Sequence, residues 1–319
     1  LNPYGRGKYE TGGSSAGSGT SMAANYAVAA VGTETAGSIL SPSAQNSIVG
    51  LKPTIGLLSR TGIVPISSTL DTPGPMTRSV QDNAILLDAM LGKDNADKKS
   101  FEFLNKSIYT LNKLKPSSIR LAAFKSLVES QEIFEGSLGI LKENRIQVDT
   151  VSANGIELQG FITLLNLDMK QDLPIYLKDF SNMGSSVSNV EQIVEYNLGD
   201  TVLNAPYGQG RFEAILNDET STDDLEEIKS TLKSSARKYF DELLSAKDYN
   251  AVLSINNYHA AYAAVAEYPA ITIPMGYKSD GEPINLTIIS YPNSEYELLN
   301  IALTLEEILS GRKVPIDYK

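Results

Sequence analysis

The spacing of apolar and polar residues predicts strands and an amphipathic helix in the middle of the chain. Residues 118–124 form a mostly apolar run of strand length, and residues 147–151 look like the next strand. Residues 130–143, between them, carry apolar side chains at the spacing of one helix face. The apolar positions of this face are Ile133, Phe134, Leu138, Ile140 and Leu141.

The same alternation continues toward the C-terminus. A long apolar stripe predicts a helix over residues 223–246. Its members are Leu225, Ile228, Leu232, Tyr239 and Leu243. Residues 271–275 and 284–289 predict two strands joined by a turn at residues 278–281. Strands that alternate with helices favour an α/β fold around a mixed sheet.

A final helix is predicted after these strands. Ser294 stands three residues before Glu297, which is the spacing of a capping box. The helix should therefore begin at this position and end at Gly311. No stretch of the sequence separates independent domains, so one domain is expected over residues 1–319.

The composition narrows the functional class. The chain has 319 residues, with 27 Lys and Arg against 38 Asp and Glu, which gives a net charge of −11. A surface of this charge repels phosphate, so neither direct nucleic-acid binding nor binding to an anionic membrane is expected. The apolar runs are also too short to span a bilayer.

The low content of Cys and His excludes several kinds of site. The chain contains no Cys, which excludes disulfides, thiolate metal sites and a cysteine nucleophile. His259 is the single histidine, so a site with several histidine ligands is excluded, and a Ser-His-Asp triad would have to use this residue. The lack of Cys suits several compartments, and we expect a cytoplasmic location.

Residues 12–19 (GGSSAGSG) form an unusual glycine- and serine-rich loop. A phosphate-binding P-loop requires a lysine at its end, which is missing here. A dinucleotide-binding fingerprint requires glycine where Met22 stands. The uncharged residues 23–31 follow directly, which predicts a buried segment after the loop and disfavours a solvated linker.

Residues 32–39 (GTETAGSI) place Ser38 after a turn of small residues. Such a turn can point successive backbone N–H groups in one direction, as an oxyanion hole requires. A plain β-turn with a surface serine is the alternative. Glu34 is close enough to orient the turn, or it is a solvated carboxylate.

Taken in order, the short motifs of the first ninety residues resemble the amidase signature family of serine hydrolases. They are GGSS at 12–15, GS at 37–38, GLKPT at 50–54, SR at 59–60 and DTPGP at 71–75. The likeness runs from residue 2 to about residue 91 and returns more loosely at residues 268–274. The ordered set is far more specific than any single motif.

The resemblance implies a mixed sheet covered by helices on both faces and a Ser-cisSer-Lys triad. By their positions in the motifs, Ser38 matches the nucleophile and Ser14 the bridging serine. The oxyanion donors map to the backbone amides of Thr35, Ala36 and Gly37, together with Ser38. The implied reaction is amide hydrolysis through an acyl-enzyme on a small-molecule amide, with no metal or organic cofactor.

The lysine of the triad has no match in this sequence. In the family it lies well upstream of the GGSS motif, where this chain offers only Lys8, at a position that does not correspond. Lys52 belongs to the GLKPT motif, where the resemblance makes it a framework residue and a poor substitute base. We therefore expect an N-terminally truncated chain, either one piece of a longer enzyme or a relative with little activity.

Two further positions depart from the common pattern. Leu40 stands where many members of the family have arginine. A subgroup of small bacterial and plant amidases has an aliphatic residue at this position, and this chain resembles that subgroup. Ala36 replaces a common glycine and would be slightly strained if its φ were positive.

Two other functions stay open. One is a glutamine-hydrolysing amidotransferase subunit that works with a tRNA-binding partner, and the other is an inactive scaffold that binds without catalysis. The oligomeric state is also open. Two polar residues receive structural roles: Asp71 is predicted to bind backbone amides near the site, and His259 to lie at a helix start or on the surface.

Overall fold

A mixed sheet organises the chain, which a computed structural model describes over residues 1–103, 108–181 and 187–318. Within these residues the sheet has eight strands. They are β1 (Ala30–Glu34), β2 (Val49–Lys52), β3 (Thr72–Thr77), β4 (Arg120–Phe124), β5 (Gln147–Val151), β6 (Ala251–Ile255), β7 (Ala270–Tyr277) and β8 (Pro283–Ile289). Their spatial order is β1-β3-β2-β7-β8-β6-β4-β5.

Helices pack against this sheet, as expected for the α/β fold. The described helices are α1 (Ala16–Ala23), α2 (Leu40–Gln45), α3 (Val80–Met90), α4 (Lys125–Ser130), α5 (Glu132–Glu143), α6 (Phe161–Phe180), α7 (Val190–Gly199), α8 (Thr201–Asn204), α9 (Gly210–Asn217), α10 (Thr222–Ser245), α11 (Ala260–Ala266) and α12 (Glu295–Leu309). Strand β4 runs parallel to β5 and β6, whereas the other neighbouring strands are antiparallel. The predicted mixed sheet is confirmed.

The elements of the middle region match the predicted pattern with one local error. Strands β4 and β5 and helix α5 lie where the apolar spacing placed them, and a short helix α4 precedes α5. Ile140 was expected on the buried face of α5, but its side chain is 42% exposed. Phe134, Leu138 and Leu141 already fill the contact with the sheet, because they lie three and four residues apart on one side of the helix.

The C-terminal elements are also confirmed, except for the way α12 begins and ends. Ser294 precedes the helix, but its hydroxyl donates to the Tyr291 carbonyl and caps no helix amide. The prediction of a capping box is therefore wrong. The left-handed residue that ends the helix is Ser310, with φ 45°. Gly311 is needed for space, because a Cβ there would lie 2.3 Å from the Pro274 carbonyl oxygen.

The segment that follows α1 contradicts the expectation of burial. Val28 is 83% exposed and Val31 is 47% exposed. Val28 lies before β1, and Val31 lies on β1, the terminal strand of the described sheet, which pairs there only with β3. Lack of charge in residues 23–31 therefore did not indicate burial.

The buried core continues underneath the serine-rich segments. The main core lies on the sheet, where every residue of β8 is buried. A smaller cluster consists of Met22, Ala23, Ile39, Ile48 and Met76. Ile39 follows Ser38 directly, so the chain is anchored in apolar packing immediately after the candidate nucleophile.

None of the described helices combines the length and the apolar character that crossing a bilayer requires.

We predict that Gly74→Ala destabilises the protein strongly. Gly74 lies in β3, and a Cβ at this position would be 2.0 Å from the Leu51 carbonyl oxygen on the neighbouring strand. The free energy of unfolding, measured by urea denaturation, should fall by about 3 kcal/mol. Gly139→Ala is the control, because Gly139 is exposed on α5 and an added Cβ would meet nothing within 4 Å. It should gain about 0.5–1 kcal/mol, and equal losses would refute the steric explanation.

Candidate active site

The Ser38 turn connects β1 directly to α2. Gly37 has φ 109°, and a Cβ there would meet the side chains of Asn257 and Ala260 at 3.3 and 3.4 Å, so both backbone and space favour glycine. Ala36 keeps a negative φ, which removes the strain considered from the sequence. The Ser41 amide donates to the Gly37 carbonyl at 2.7 Å, and α2 begins there.

The loop of residues 12–19 meets this turn through backbone contacts. The peptide bond between Gly13 and Ser14 is cis. The Ser15 amide donates to the Ser38 carbonyl oxygen at 3.2 Å. The Ser15 hydroxyl donates to the Thr33 carbonyl at 3.0 Å and accepts from the Thr33 amide at 3.1 Å. Ser14 is therefore held beside the segment that carries Ser38.

Glycine allows the loop to lie directly on α2. A Cβ on Gly12, whose φ is 65°, would be 2.6 Å from the backbone of Pro42. The Asn46 side chain donates to the carbonyls of Thr11 and Pro42, both at 2.8 Å. This close approach explains the need for glycine at position 12.

Ser15 is a site residue to which sequence reasoning gave no role. Its hydroxyl and amide tie the loop both to β1 and to the Ser38 turn. The available signal was the second serine of the GGSS motif, but its two backbone partners are residues distant in the sequence.

Glu34, the last residue of β1, holds the Ser38 turn through hydrogen bonds to backbone amides. Its side chain is only 1% exposed, and Oε2 accepts from the amides of Ile39 at 2.7 Å and Leu40 at 2.9 Å. The Gly37 amide also stabilises the charged carboxylate. Burial raises the pKa of Glu34, while these amides and the Lys52 charge act in the opposite direction. The alternative of a solvated carboxylate is wrong.

Asp71 supports the turn from the other side. Its Oδ1 accepts from the Thr35 hydroxyl at 2.6 Å, and Oδ2 accepts from the amides of Ile66 and Ser67 at 2.8 Å each. Burial raises the pKa of Asp71, and these hydrogen bonds oppose the shift. The prediction that Asp71 binds backbone amides near the site is confirmed.

The two lysines considered as bases lie in very different surroundings. Lys8 is exposed, and its amino group donates to the Tyr9 hydroxyl at 2.8 Å and the Asp280 carbonyl at 2.9 Å. The hydrogen bond to Tyr9 raises the pKa of Lys8, opposite to the direction a base needs. Lys52 is fully buried and donates to the Pro53 carbonyl at 3.1 Å. Burial lowers the pKa of Lys52 to about 8.

The remaining candidate residues have structural surroundings. Leu40 is fully buried in the main core. His259 lies at the start of α11, as predicted, where it stacks on Phe124 at 4.1 Å and bonds the Ser254 hydroxyl at 2.6 Å. Burial lowers the pKa of His259 to about 4, so the ring is neutral at neutral pH.

Both serines have surface exposure. Ser14 is exposed and Ser38 is partly exposed. Two hydroxyl groups on adjacent segments, with backbone amides in the turn between Glu34 and Ser38, can serve nucleophilic attack and oxyanion binding. Among the residues that the structure describes, no group of three or more acidic or histidine side chains could hold a metal ion.

Several known proteins that are similar to this chain in sequence or structure are named as amidases. A model of the amidase family matches residues 1–203. A probable amidase from Arabidopsis thaliana is 31% identical over 95% of this chain and 61% of its own length. An amidase family protein from Bacillus anthracis is 32% identical, with a TM-score of 0.93 over 99% of this chain and 64% of that one. This chain therefore spans somewhat less than two thirds of both proteins.

Two other similar proteins bear on the type of amide. The peptide amidase from Stenotrophomonas maltophilia is 29% identical, with a TM-score of 0.89 over 98% of this chain and 69% of that one. A glutamyl-tRNA(Gln) amidotransferase subunit from Orientia tsutsugamushi is 26% identical over 95% of this chain and 68% of its own length.

We predict that Asp71→Ala costs far more stability than Thr35→Val. The first substitution leaves three donors without their acceptor, whereas the second removes one donor. The free energy of unfolding in urea should fall by about 3 kcal/mol for Asp71→Ala and by about 1 kcal/mol for Thr35→Val. Equal losses would mean that the amides of Ile66 and Ser67 do not depend on Asp71.

Proposed function

The chain belongs to the amidase family, and we propose that the protein hydrolyses amide bonds through an acyl-enzyme on Ser38. The proposal rests chiefly on the bond from the Ser15 amide to the Ser38 carbonyl, which brings the GGSS and GS motifs together. The cis peptide at Ser14 agrees with the bridging serine implied by the resemblance. Neither observation depends on the relatives' names.

In the proposed reaction, the Ser38 oxygen attacks the carbonyl carbon of the amide. Its proton passes to the Ser14 oxygen, and the Ser14 proton passes to a neutral amine base. The C–N bond then breaks, and the nitrogen leaves as ammonia or an amine after it takes up the proton. Water attacks the acyl-enzyme, releases the carboxylic acid and restores the Ser38 hydroxyl.

Negative charge on the carbonyl oxygen would be stabilised by the turn amides. Thr35, Ala36 and Gly37 are the proposed donors, together with Ser38 itself. Because the Gly37 amide also faces the Glu34 carboxylate, we expect Thr35 and Ala36 to carry more of this role. Removal of one such donor costs other hydrolases about a hundredfold or more in rate.

The resemblance assigns the base to a lysine upstream of the GGSS motif, and Lys8 is the one lysine of this chain before that motif. Its amino group is engaged with Tyr9 and Asp280. Lys52 has a lowered pKa, but its amino group donates to Pro53. We propose neither of them as the base.

The substrate is proposed only as a class. A small molecule or peptide with an amide bond fits the exposed Ser14, the partly exposed Ser38 and the peptide amidase relative. The cytoplasmic location and the oligomeric state stay predictions from the sequence.

We predict that a fluorophosphonate probe labels Ser38. Labelling, measured by mass spectrometry of the modified peptide, should be lost in Ser38→Ala and fall by about a hundredfold or more in Ser14→Ala. Ser41→Ala is the matched control, because Ser41 is also partly exposed and lies one helical turn away. A wild-type protein that does not react would instead support the inactive scaffold.

The amidotransferase alternative rests on the relative of that name. Complete burial of Leu40 in the apolar core favours the small-amidase subgroup, where the resemblance places an aliphatic residue. In the small-amidase case, the rate of simple-amide hydrolysis, measured by ammonia release, should not depend on an added tRNA-binding partner. Hydrolysis of glutamine that rises only when a partner protein is added would favour the alternative.

A further inference from the structure

A cavity of about 390 Å³ lies beside α10 and α11 and contains an unusual number of lysines. Its size suits part of a small molecule or a short peptide. Three lysines and two glutamates carry its charge: Lys99, Lys229, Lys233, Glu226 and Glu267. In a chain with a net charge of −11, this cavity is a place where cations collect.

The positive charge is concentrated around Glu267. Its carboxylate pairs with Lys233 at 2.7 Å, with Arg237 at 2.9 Å and with Lys99 at 3.8 Å. Arg237 also donates to the Ala266 carbonyl at 3.0 Å, which fixes its guanidinium group. Three cations therefore share one carboxylate, and this part of the cavity has an excess of positive charge.

The charge of Lys229 is compensated in a different way. Its amino group pairs with Asp168 at 2.9 Å and with Glu226 at 3.0 Å, so two acids share this one cation. An added negative group would be repelled there. We therefore expect an anion to bind between Lys99 and Lys233, on the Glu267 side of the cavity.

The amino groups of Lys99 and Lys233 can be reached from the solvent. Their side chains are 37% and 42% exposed, whereas the Glu267 side chain between them is 16% exposed. Burial lowers the pKa of Lys99, and the positive charge of Lys233 acts in the same direction. An anion bound to both amino groups would relieve this repulsion, because each ammonium group has N–H donors for it.

Helix α11 connects this cavity to the Ser38 turn. At its first residue, the Ala260 side chain lies 3.4 Å from where a Cβ on Gly37 would be. Val265, near the other end of the helix, lines the cavity. Five residues of an α-helix rise about 8 Å. The cavity wall thus begins about 8 Å along the helix from its contact with the turn.

The segment before β3 makes a second connection. Asp71 accepts from the Thr35 hydroxyl in the Ser38 turn at 2.6 Å. Ser68 and Thr69, which precede it, line the cavity, and the Thr69 carbonyl accepts from the Lys99 amino group at 2.8 Å. Two separate parts of the chain therefore reach from the turn to the lysines.

We propose that Lys99 and Lys233 form a subsite for a carboxylate of the substrate, so that the preferred substrates are peptides with an acidic residue near the hydrolysed amide. The proposal rests on the proposed function, which it deepens by naming the substrate class. Two residues of an extended peptide span about 7 Å, so an acidic residue two positions before the amide can reach the subsite.

The surroundings favour a carboxylate over a phosphate. A carboxylate carries one negative charge, whereas a phosphate monoester carries nearly two at neutral pH. Because Glu226 and Glu267 line the same cavity, a doubly charged group would be repelled more strongly. A single charge is enough to bind both ammonium groups.

Two peptides that differ only in charge test the proposal. They are acetyl-Asp-Ala-Ala-amide and acetyl-Asn-Ala-Ala-amide, which have nearly the same shape. The wild type should hydrolyse the Asp peptide with a kcat/KM about tenfold or more above that for the Asn peptide, measured by ammonia release. High salt should reduce this ratio, because ions screen exposed charges.

Three variants and one control examine the role of the lysines. Lys233→Met and Lys99→Met should each lower the Asp-to-Asn ratio about tenfold. Lys233→Arg keeps the positive charge and should keep most of the ratio. Lys238→Met is the control, because Lys238 lies on the same helix and pairs with Glu242, outside the cavity lining. Its ratio should match that of the wild type.

Binding is measured separately, so that the subsite can be tested without catalysis. In Ser38→Ala, titration calorimetry should give a dissociation constant for the Asp peptide about tenfold below that for the Asn peptide. Adding Lys233→Met to this variant should bring the two constants close together. If Lys233→Met does not fold, Lys99→Met and Lys233→Arg decide.

The outcomes distinguish the subsite from the proposed function. Equal hydrolysis and equal binding of the two peptides would overturn the subsite and leave the proposed function supported. Tighter binding of the Asp peptide, with no hydrolysis of either peptide by the wild type, would support the subsite and refute the proposed function. The same loss of preference in Lys238→Met as in Lys233→Met would show a general effect of surface charge and also overturn the subsite.

Discussion

The candidate site depends on two hydrogen bonds, which two backbone amides donate to one buried carboxylate. Glu34 ends β1, and its Oε2 binds the amides of Ile39 and Leu40 at the start of α2. The carboxylate therefore closes the turn that contains Ser38 between a strand and a helix. Because the sheet fixes the strand and the apolar cluster fixes Ile39, the serine has little freedom between them. Such fixed geometry is what nucleophilic catalysis requires.

The loop of residues 12–19 can approach the Ser38 turn closely because Gly12 has no side chain. Gly12 lies against the backbone of Pro42, and Ser15 binds backbone atoms of Thr33 and Ser38. Asp71 adds a further tie at Thr35. The turn is thus held by hydrogen bonds from three parts of the chain. Ser14 and Ser38 are left accessible at the surface of this framework.

Buried charge links this framework to the core. In a chain with a net charge of −11, Lys52 is enclosed while most other charged groups face water. Two exposed or partly exposed lysines, Lys8 and Lys99, show how strongly surroundings decide the role of the same residue type. Lys8 bonds a surface tyrosine, Lys99 pairs with Glu267, and Lys52 is fully buried and donates to the Pro53 carbonyl. Residue identity alone does not distinguish these three situations.

The amino-acid sequence was enough to predict the α/β class, most strands and helices, and the ordered motifs that contain Ser14 and Ser38. These features depend on local spacing, because side chains repeat every two residues in a strand and about every 3.6 residues in a helix. The three-dimensional structure was needed to show that Glu34 is buried, that Ser15 ties two segments together and that residues 23–31 are largely exposed. It also decided that Ser294 makes no capping bond and that Ile140 faces solvent. Each of these depends on what lies opposite a residue in space, and neighbours distant in sequence leave no local pattern.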